Sequence, residues 1–499
     1  MRPTICKVNC HQIAMNMNRR DWVKTTGLAG TGLVLSSFLK LENKKMIKNS
    51  VSGKSEYIFT KADFGPDFKW GVAAAAYQTE GAWNTDGKGE SIWDHFSRKS
   101  GKIERDENAD VAADFYHKYA EDIDLIKSVN FNVFRFSLSW PRILPNGTGE
   151  VNQAGLDFYN RVIDKCLSVG VEPWITIYHW DLPQELENQG GWANRKIVDW
   201  FSEYTELVTR EFGSKVKNWM VLNEQFSFVA GGYLAGYMAP GRRNIRGFLK
   251  SVHHSVLCNA EGGRIIRRNV AGANVGTTFF TAYIEPLNQV ESNIEAANRI
   301  DAGINRLFIE PVLGLGYPED ALPVLKKIHK YFEPGDEERM VFDFDFIGVQ
   351  YYFRAVVEKS IIPYIQAKEV KASDRGAIAN EMNYEIYPDG LFHVLKKFRR
   401  YKGIRNLMVT ENGTCVPDIV EDGKVHDVRR IEYFNDHLES VLKARHDGVN
   451  VNGYFVWSPT DNFEWDKGFR TRFGLVYVDF QTQQRIMKDS GLWFREFLK

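Results

Sequence analysis

Eight short apolar runs, rich in β-branched and aromatic residues, recur along this chain and are separated by longer stretches with helical spacing. The runs cover residues 68–77, 131–137, 172–178, 219–223, 274–280, 344–351, 406–410 and 453–457. Apolar periodicity of about 3.6 residues marks intervening helices over 109–129, 153–169, 195–212, 247–269 and 427–447. Strands that alternate with helices must form parallel pairs joined by crossovers, and eight of them is the strand count of a closed (β/α)8 barrel. From about residue 56 onward no Pro/Gly/Ser-rich linker and no internal repeat interrupts the pattern. Residues 50–499 are therefore expected to form one α/β barrel domain.

A barrel of this kind carries its chemistry at the C-terminal ends of the strands. At or just beyond those ends lie Gln78, Arg135, His179, Asn223, Glu224, Gln350, Tyr352, Glu411 and Trp457. A single Arg or His at a strand end is usually a structural hydrogen-bonding residue. This many polar side chains at one mouth is harder to dismiss. Two of them are carboxyls that close apolar runs, Glu224 after Trp219-Met-Val-Leu-Asn223 and Glu411 after Leu407-Met-Val-Thr410. Ending an apolar strand in a charge gives up burial. A chain that does so twice at one mouth points to chemistry that needs two carboxylates, of which glycosidic bond cleavage is the leading case.

Composition narrows the alternatives. Lys plus Arg and Asp plus Glu each total 64, so the formal net charge is zero. Neither a nucleic-acid groove nor a polybasic membrane patch is expected from that balance. Aromatic residues make up 13% of the chain and include 13 Trp. Most of these belong in the core, but indole faces also suit the apolar C–H faces of sugars. Cys166, Cys258 and Cys415 are widely spaced, without the spacing of a disulfide framework or zinc site, and Cys415 is expected to be a neutral packing thiol.

Residues 1–49 are expected to lie outside the fold. Asn18-Arg19-Arg20-Asp21-Trp22-Val23-Lys24, followed by a short run of small and apolar residues from Gly27 to Leu39, resembles a twin-arginine export leader. Export to the periplasm is the expectation, with a cytoplasmic protein as the alternative. The apolar run is shorter than the roughly 20 residues that span a bilayer. Met15 or Met17 would place the leader's start closer to the arginine pair.

The motifs that carry a family resemblance run the length of the expected domain. They are Phe68-Lys-Trp-Gly-Val-Ala-Ala-Ala-Ala-Tyr-Gln78, Arg135-Phe-Ser-Leu-Ser-Trp-Pro-Arg142, His179-Trp-Asp-Leu-Pro183, Asn223-Glu224, Val409-Thr-Glu-Asn-Gly413, Trp457-Ser-Pro-Thr-Asp-Asn-Phe-Glu464-Trp465 and Arg472-Phe473-Gly474. The chain thereby resembles glycoside hydrolase family 1, the β-glucosidase-like retaining enzymes. The resemblance implies Glu411 as nucleophile, Glu224 as acid and then base, and Arg135, Asn223 and Tyr352 as their supports. It also implies Gln78, His179, Gln350, Trp457, Glu464, Trp465 and Phe473 as the groups that bind the sugar, with no metal or organic cofactor. The implied substrate is a small β-glycoside whose terminal sugar is neutral, glucose-like, galactose-like or fucose-like, since a carboxylate at Glu464 would repel a sugar 6-phosphate. A transglycosidase on the same residues and a non-catalytic sugar-binding relative are the alternatives. Where the family usually has Pro after its acid and Asn before its paired tyrosines, this chain has Gln225 and Gln350. Leu222 and the Pro459-Thr460 pair depart from the pattern as well.

Overall fold

The computed structural model describes residues 59–499, and the expected export leader lies outside the described residues. Eight parallel strands form the centre: β1 (Lys69–Ala74), β2 (Val133–Ser137), β3 (Glu172–Tyr178), β4 (Asn218–Asn223), β5 (Asn274–Pro286), β6 (Phe346–Lys359), β7 (Leu407–Asn412) and β8 (Val451–Trp457). Each pairs with the next in sequence, and β8 pairs with β1 from Lys69 opposite Gly453 to Ala73 opposite Trp457, so the barrel is closed. Outside it run α1 (Phe115–Ser128), α2 (Gln153–Ser168), α3 (Ile197–Phe212), α4 (Ile245–Asn269), α5 (Glu291–Asp301), α6 (Pro388–Arg399), α7 (Val428–His446) and α8 (Asp489–Phe497).

The runs look uniformly apolar because both faces of a barrel strand are buried, yet alternation is present within them. Val133, Trp174, Met220, Phe346, Met408 and Phe455 point inward and form the barrel core, with Trp174 edge-on to Phe455 at 5.2 Å between ring centroids. Their neighbours Phe134, Ile175, Trp219, Val409 and Tyr454 point outward to the main core beneath the helices. Two residues further along the inward face come Arg135 and Thr176, so the same period of two that packs the floor also aims the site.

Several boundaries differ from the sequence expectation for identifiable reasons. The first run stops at Ala74, and a helical turn over Ala76–Thr79 carries Tyr77 and Gln78. The first helix starts at Phe115 rather than at 109, because Ala112 and Asp114 adopt positive φ of 48° and 53°, which no helix tolerates. α4 starts two residues early because Asn244 caps it, its side chain accepting from the Arg246 and Gly247 amides at 2.9 and 3.3 Å. The fifth and sixth runs continue beyond the barrel as a paired ribbon to Pro286 and Lys359, extended by an antiparallel strand Ala367–Glu369. A small separate core of Phe280, Ala282, Ala297, Ile300, Phe353 and Ala355 supports this ribbon against α5. It builds one wall above the barrel mouth.

Candidate active site

Glu411 is the penultimate residue of β7, inside the strand rather than beyond its end, and only 3% of it is exposed. Its Oε1 is paired with the guanidinium of Arg135, and its Oε2 accepts from the Tyr352 hydroxyl at 2.7 Å. Arg135 is itself fully buried. Its Nε donates to Thr176 Oγ1 at 3.0 Å and its Nη2 to Asn223 Oδ1 at 2.5 Å, so three strands hold it in place. A buried guanidinium whose three nitrogens all donate is a rigid positive charge against one carboxylate oxygen. Tyr352 is braced by Phe473, edge-on at 6.2 Å.

Glu224 follows β4 with left-handed backbone, φ 45° and ψ 67°, which lifts its side chain into the mouth. Its Oε2 accepts from Ser227 Oγ at 2.9 Å. Burial raises both carboxyls, but their surroundings separate them. At Glu411 the charge of Arg135 and the donors from Tyr352 and Arg135 oppose the rise. At Glu224 burial is reinforced by the negative charge of Glu411, and Ser227 and Arg135 offset only part of it, so its pKa lies well above the ordinary carboxylate range. The pair can therefore present one ionised and one protonated carboxyl at the same time.

Around the two carboxyls the structure brings together nearly all the expected sugar-binding residues. Gln78, His179, Glu224, Tyr352, Glu411, Trp457, Glu464, Trp465 and Phe473 line one cavity. Gln78 Nε2 is shared among Asn462 Oδ1, the Phe463 carbonyl and Glu464 Oε2 at 3.1, 2.9 and 3.3 Å, while its buried Oε1 has no partner among the described residues and is able to accept from a hydroxyl. His179 Nε2 faces Asn223 Nδ2 at 3.0 Å. Burial, then Arg135, pushes the imidazole well below its usual range, so the ring is neutral with Nε2 accepting. The proton then lies on Nδ1, which has no protein partner among the described residues and can donate to a sugar.

Three expected residues sit behind this wall. Arg135, Asn223 and Gln350 do not reach the cavity surface. Asn223 Oδ1 collects donors from Arg135, Gln350 Nε2 at 2.7 Å and Thr278 Oγ1 at 3.0 Å. Gln350 thus supports Asn223 from beneath instead of contacting sugar, because its longer side chain is spent on that bond. Glu464 also differs from the sequence argument. Burial, then Asp466 and Glu411, holds its carboxyl up to about 8 despite donors from the Trp457 indole and Gln78. A carboxyl held that high carries less than a full negative charge near neutrality, which weakens the charge argument against sugar phosphates.

The loop bearing Glu464 and Trp465 is fixed from both sides. Trp465 packs on Trp180 at 4.4 Å and on Trp93 at 4.5 Å. Fully buried Asp461 accepts from Lys488 Nζ at 2.7 Å, Arg472 Nη1 at 2.6 Å and the Gly474 amide at 3.0 Å. Gly413 lets the β7 end pass under Trp457, since a Cβ there would lie 2.0 Å from the Trp457 carbonyl oxygen. Cys415 lies close by, fully buried, and burial pushes its thiol up to about 12, as befits an inert packing residue. Sequence reasoning missed the cavity's outer ring of Phe226, Ser227, Tyr237, Phe280, Met382 and Tyr384. Only Ser227 had a legible signal, its place three residues after Glu224 where a turn brings side chains together.

Cleaving a bond to a polyhydroxylated ring calls for this division between an ionised and a protonated carboxyl, and the class that the barrel and its cavity define is a glycoside hydrolase. The model of glycosyl hydrolase family 1 matches residues 60–499, and the chain belongs to that family. Among its relatives, β-glucosidase A of Thermotoga maritima is 42% identical over 438 residues, covering 87% of this chain and 98% of that protein. β-Glucosidase A of Acetivibrio thermocellus is 40% identical over 448 residues, covering 88% and 99%. The solved structure of the Thermotoga maritima β-glucosidase in complex with deoxynojirimycin superposes with a TM-score of 0.83 at 41% identity, covering 87% of this chain and 98% of that one.

Proposed function

We propose that this chain is a retaining exo-β-glycosidase, specifically a β-glucosidase that removes terminal non-reducing β-D-glucosyl residues by double displacement. The observation that carries the reading is the unequal setting of two buried carboxyls in one cavity: Arg135 and Tyr352 oppose the rise at Glu411, while Glu224 is raised well above its ordinary range. Relatives named β-glucosidase, aligned over most of their length, support the substrate class.

In the first half-reaction Glu411 Oε attacks the anomeric carbon while Glu224 gives its proton to the departing glycosidic oxygen. The aglycone leaves as an alcohol, and the glycosyl group stays on Glu411 as an ester. Esterification removes the negative charge of Glu411, and with it one of the causes that raise Glu224. Glu224, now a carboxylate, takes a proton from water as that water attacks the anomeric carbon and releases the sugar. Two inversions leave the product with the configuration of the substrate. Gln78, His179 and Glu464 would read the hydroxyls, and Trp457 would face the ring.

The test is a panel of aryl glycosides assayed with the purified chain. Aryl β-glucoside should be turned over with kcat/KM at least about 10³-fold above aryl α-glucoside, in keeping with transition-state discrimination by a built site. β-Galactoside and β-fucoside should follow at lower efficiency. Comparable rates on both glucoside anomers, or none on any β-glycoside, would overturn the proposal.

A further inference from the structure

The segment after Glu224 is moored to the outer helix layer through one buried side chain. Gln225 opens a five-residue helix, Gln225–Val229, and its side chain turns away from the cavity and is fully buried. Its Nε2 donates to Ser255 Oγ at 3.1 Å, and its Oε1 accepts from Asn259 Nδ2 at 3.0 Å. Both partners are fully buried on α4, and Ser255 donates onward to the Val252 carbonyl at 3.0 Å. Ser227 faces the opposite way. Its hydroxyl donates to Glu224 Oε2 at 2.9 Å, and its amide donates to the Glu224 carbonyl at 2.9 Å. Between these anchors Glu224 keeps a φ of 45°, which an L residue holds only where its surroundings impose it.

We infer that Gln225 and Ser227 are positioning residues for Glu224: Gln225 ties the short helix to α4, and Ser227 occupies Oε2 so that the transferable proton sits on Oε1. Among the described residues the one side-chain hydrogen bond to Glu224 is that of Ser227 to Oε2, and Glu224 lines the cavity. The inference rests on the reading of Glu224 as acid and base. A polar fork into a buried helix face is worth keeping only if it fixes something, because an apolar side chain of the same size would pack there without desolvating an amide. What it fixes is the turn that carries the Ser227 hydroxyl. Glu411 from β7, Arg135 from β2 and Glu464 from the loop after β8 also act on this carboxyl, and its charge in turn raises the nearby hydroxyls of Tyr352, Tyr237 and Tyr384. The Ser227 hydrogen bond and the charge of Arg135 both favour the ionised form, so loss of the first moves Glu224 further up.

Ser227→Ala, Ser227→Thr and Gln225→Leu would each be assayed on an alkyl β-glucoside, whose leaving group needs a proton, and on 2,4-dinitrophenyl β-glucoside, whose leaving group does not. Ser227→Ala is expected to lower kcat/KM on the alkyl substrate by about tenfold, while the dinitrophenyl value stays within roughly twofold. The alkaline limb of the alkyl profile should move upward by about one pH unit, since the acid form then persists to higher pH. Gln225→Leu should shift the ratio of the two substrates in the same direction, and Ser227→Thr should restore both ratio and limb. Because a ratio between substrates does not depend on how much protein folds, poor folding of a variant does not hide the answer. Equal losses on both substrates, or an unmoved alkaline limb in Ser227→Ala, would overturn the inference. Wild-type protein inactive on both substrates would instead defeat the β-glucosidase reading itself.

Discussion

Glu411→Ala is expected to lower kcat on aryl β-glucosides by about 10⁵-fold, a loss of roughly 7 kcal/mol of transition-state stabilisation. The size follows from the double role of this carboxylate, which forms the covalent bond and is the negative charge that the buried Arg135 guanidinium faces. Truncation removes the nucleophile and strands Arg135 without its ion-pair partner, at a stability cost of about 3 kcal/mol or more for an uncompensated buried charge. Glu411→Gln separates the two effects, since an amide keeps the shape and offers an oxygen to Arg135 while being unable to form the ester. Both variants should be inactive, and the glutamine variant should melt closer to wild type. Activity within a factor of about ten of wild type in either one would remove Glu411 from the chemistry.

Glu224→Ala should produce a different pattern, and the difference distinguishes an acid from a nucleophile. Turnover of an unactivated β-glucoside is expected to fall by about 10³-fold, the usual contribution of general acid catalysis, while an activated aryl substrate still forms the glycosyl ester. The ester then accumulates because no base activates water. Azide, which needs no base, should enter the space left by the carboxyl and partly restore turnover of the activated substrate, with β-glucosyl azide as product. The same loss on every leaving group, with no response to azide, would contradict the assignment.

The barrel was legible because its signal is redundant. Each of the eight runs is long enough to mark a buried strand, and a wrong boundary at one does not change the count. Boundaries failed where local backbone overrode pattern, as at Ala112 and Asp114, whose positive φ delays α1. They failed again where β5 and β6 leave the barrel, since the ribbon packs on its own small core and shows no break in periodicity at the rim. Three helices, α5, α6 and α8, span only 11, 12 and 9 residues, so each repeats its apolar stripe over fewer turns than the 14 to 25 residues of the helices that stand out in the sequence.

The site was legible in its identities and less so in its electrostatics. Motifs named Glu224, Glu411 and the residues around them, but whether a side chain touches the cavity depends on depth along the strand. Gln350 and Tyr352 lie two residues apart on β6, yet one braces Asn223 from below and the other reaches Glu411. The protonation of Glu464 could not be read from a motif either, since it follows from burial beside Asp466 and Glu411 in space. The outer ring of Phe226, Tyr237, Phe280, Met382 and Tyr384 comes from the short helix after β4, from loops and from the ribbon, where spacing carries no chemical signature.

The account stands on two successive displacements at one anomeric carbon, and the stereochemistry of the first product tests that directly. Proton NMR of wild-type enzyme with an aryl β-glucoside, recorded faster than glucose mutarotates, should show the β-anomer of glucose appearing first and the α-anomer only as equilibration proceeds. Initial release of the α-anomer would mean a single displacement by water, and would contradict a covalent role for Glu411.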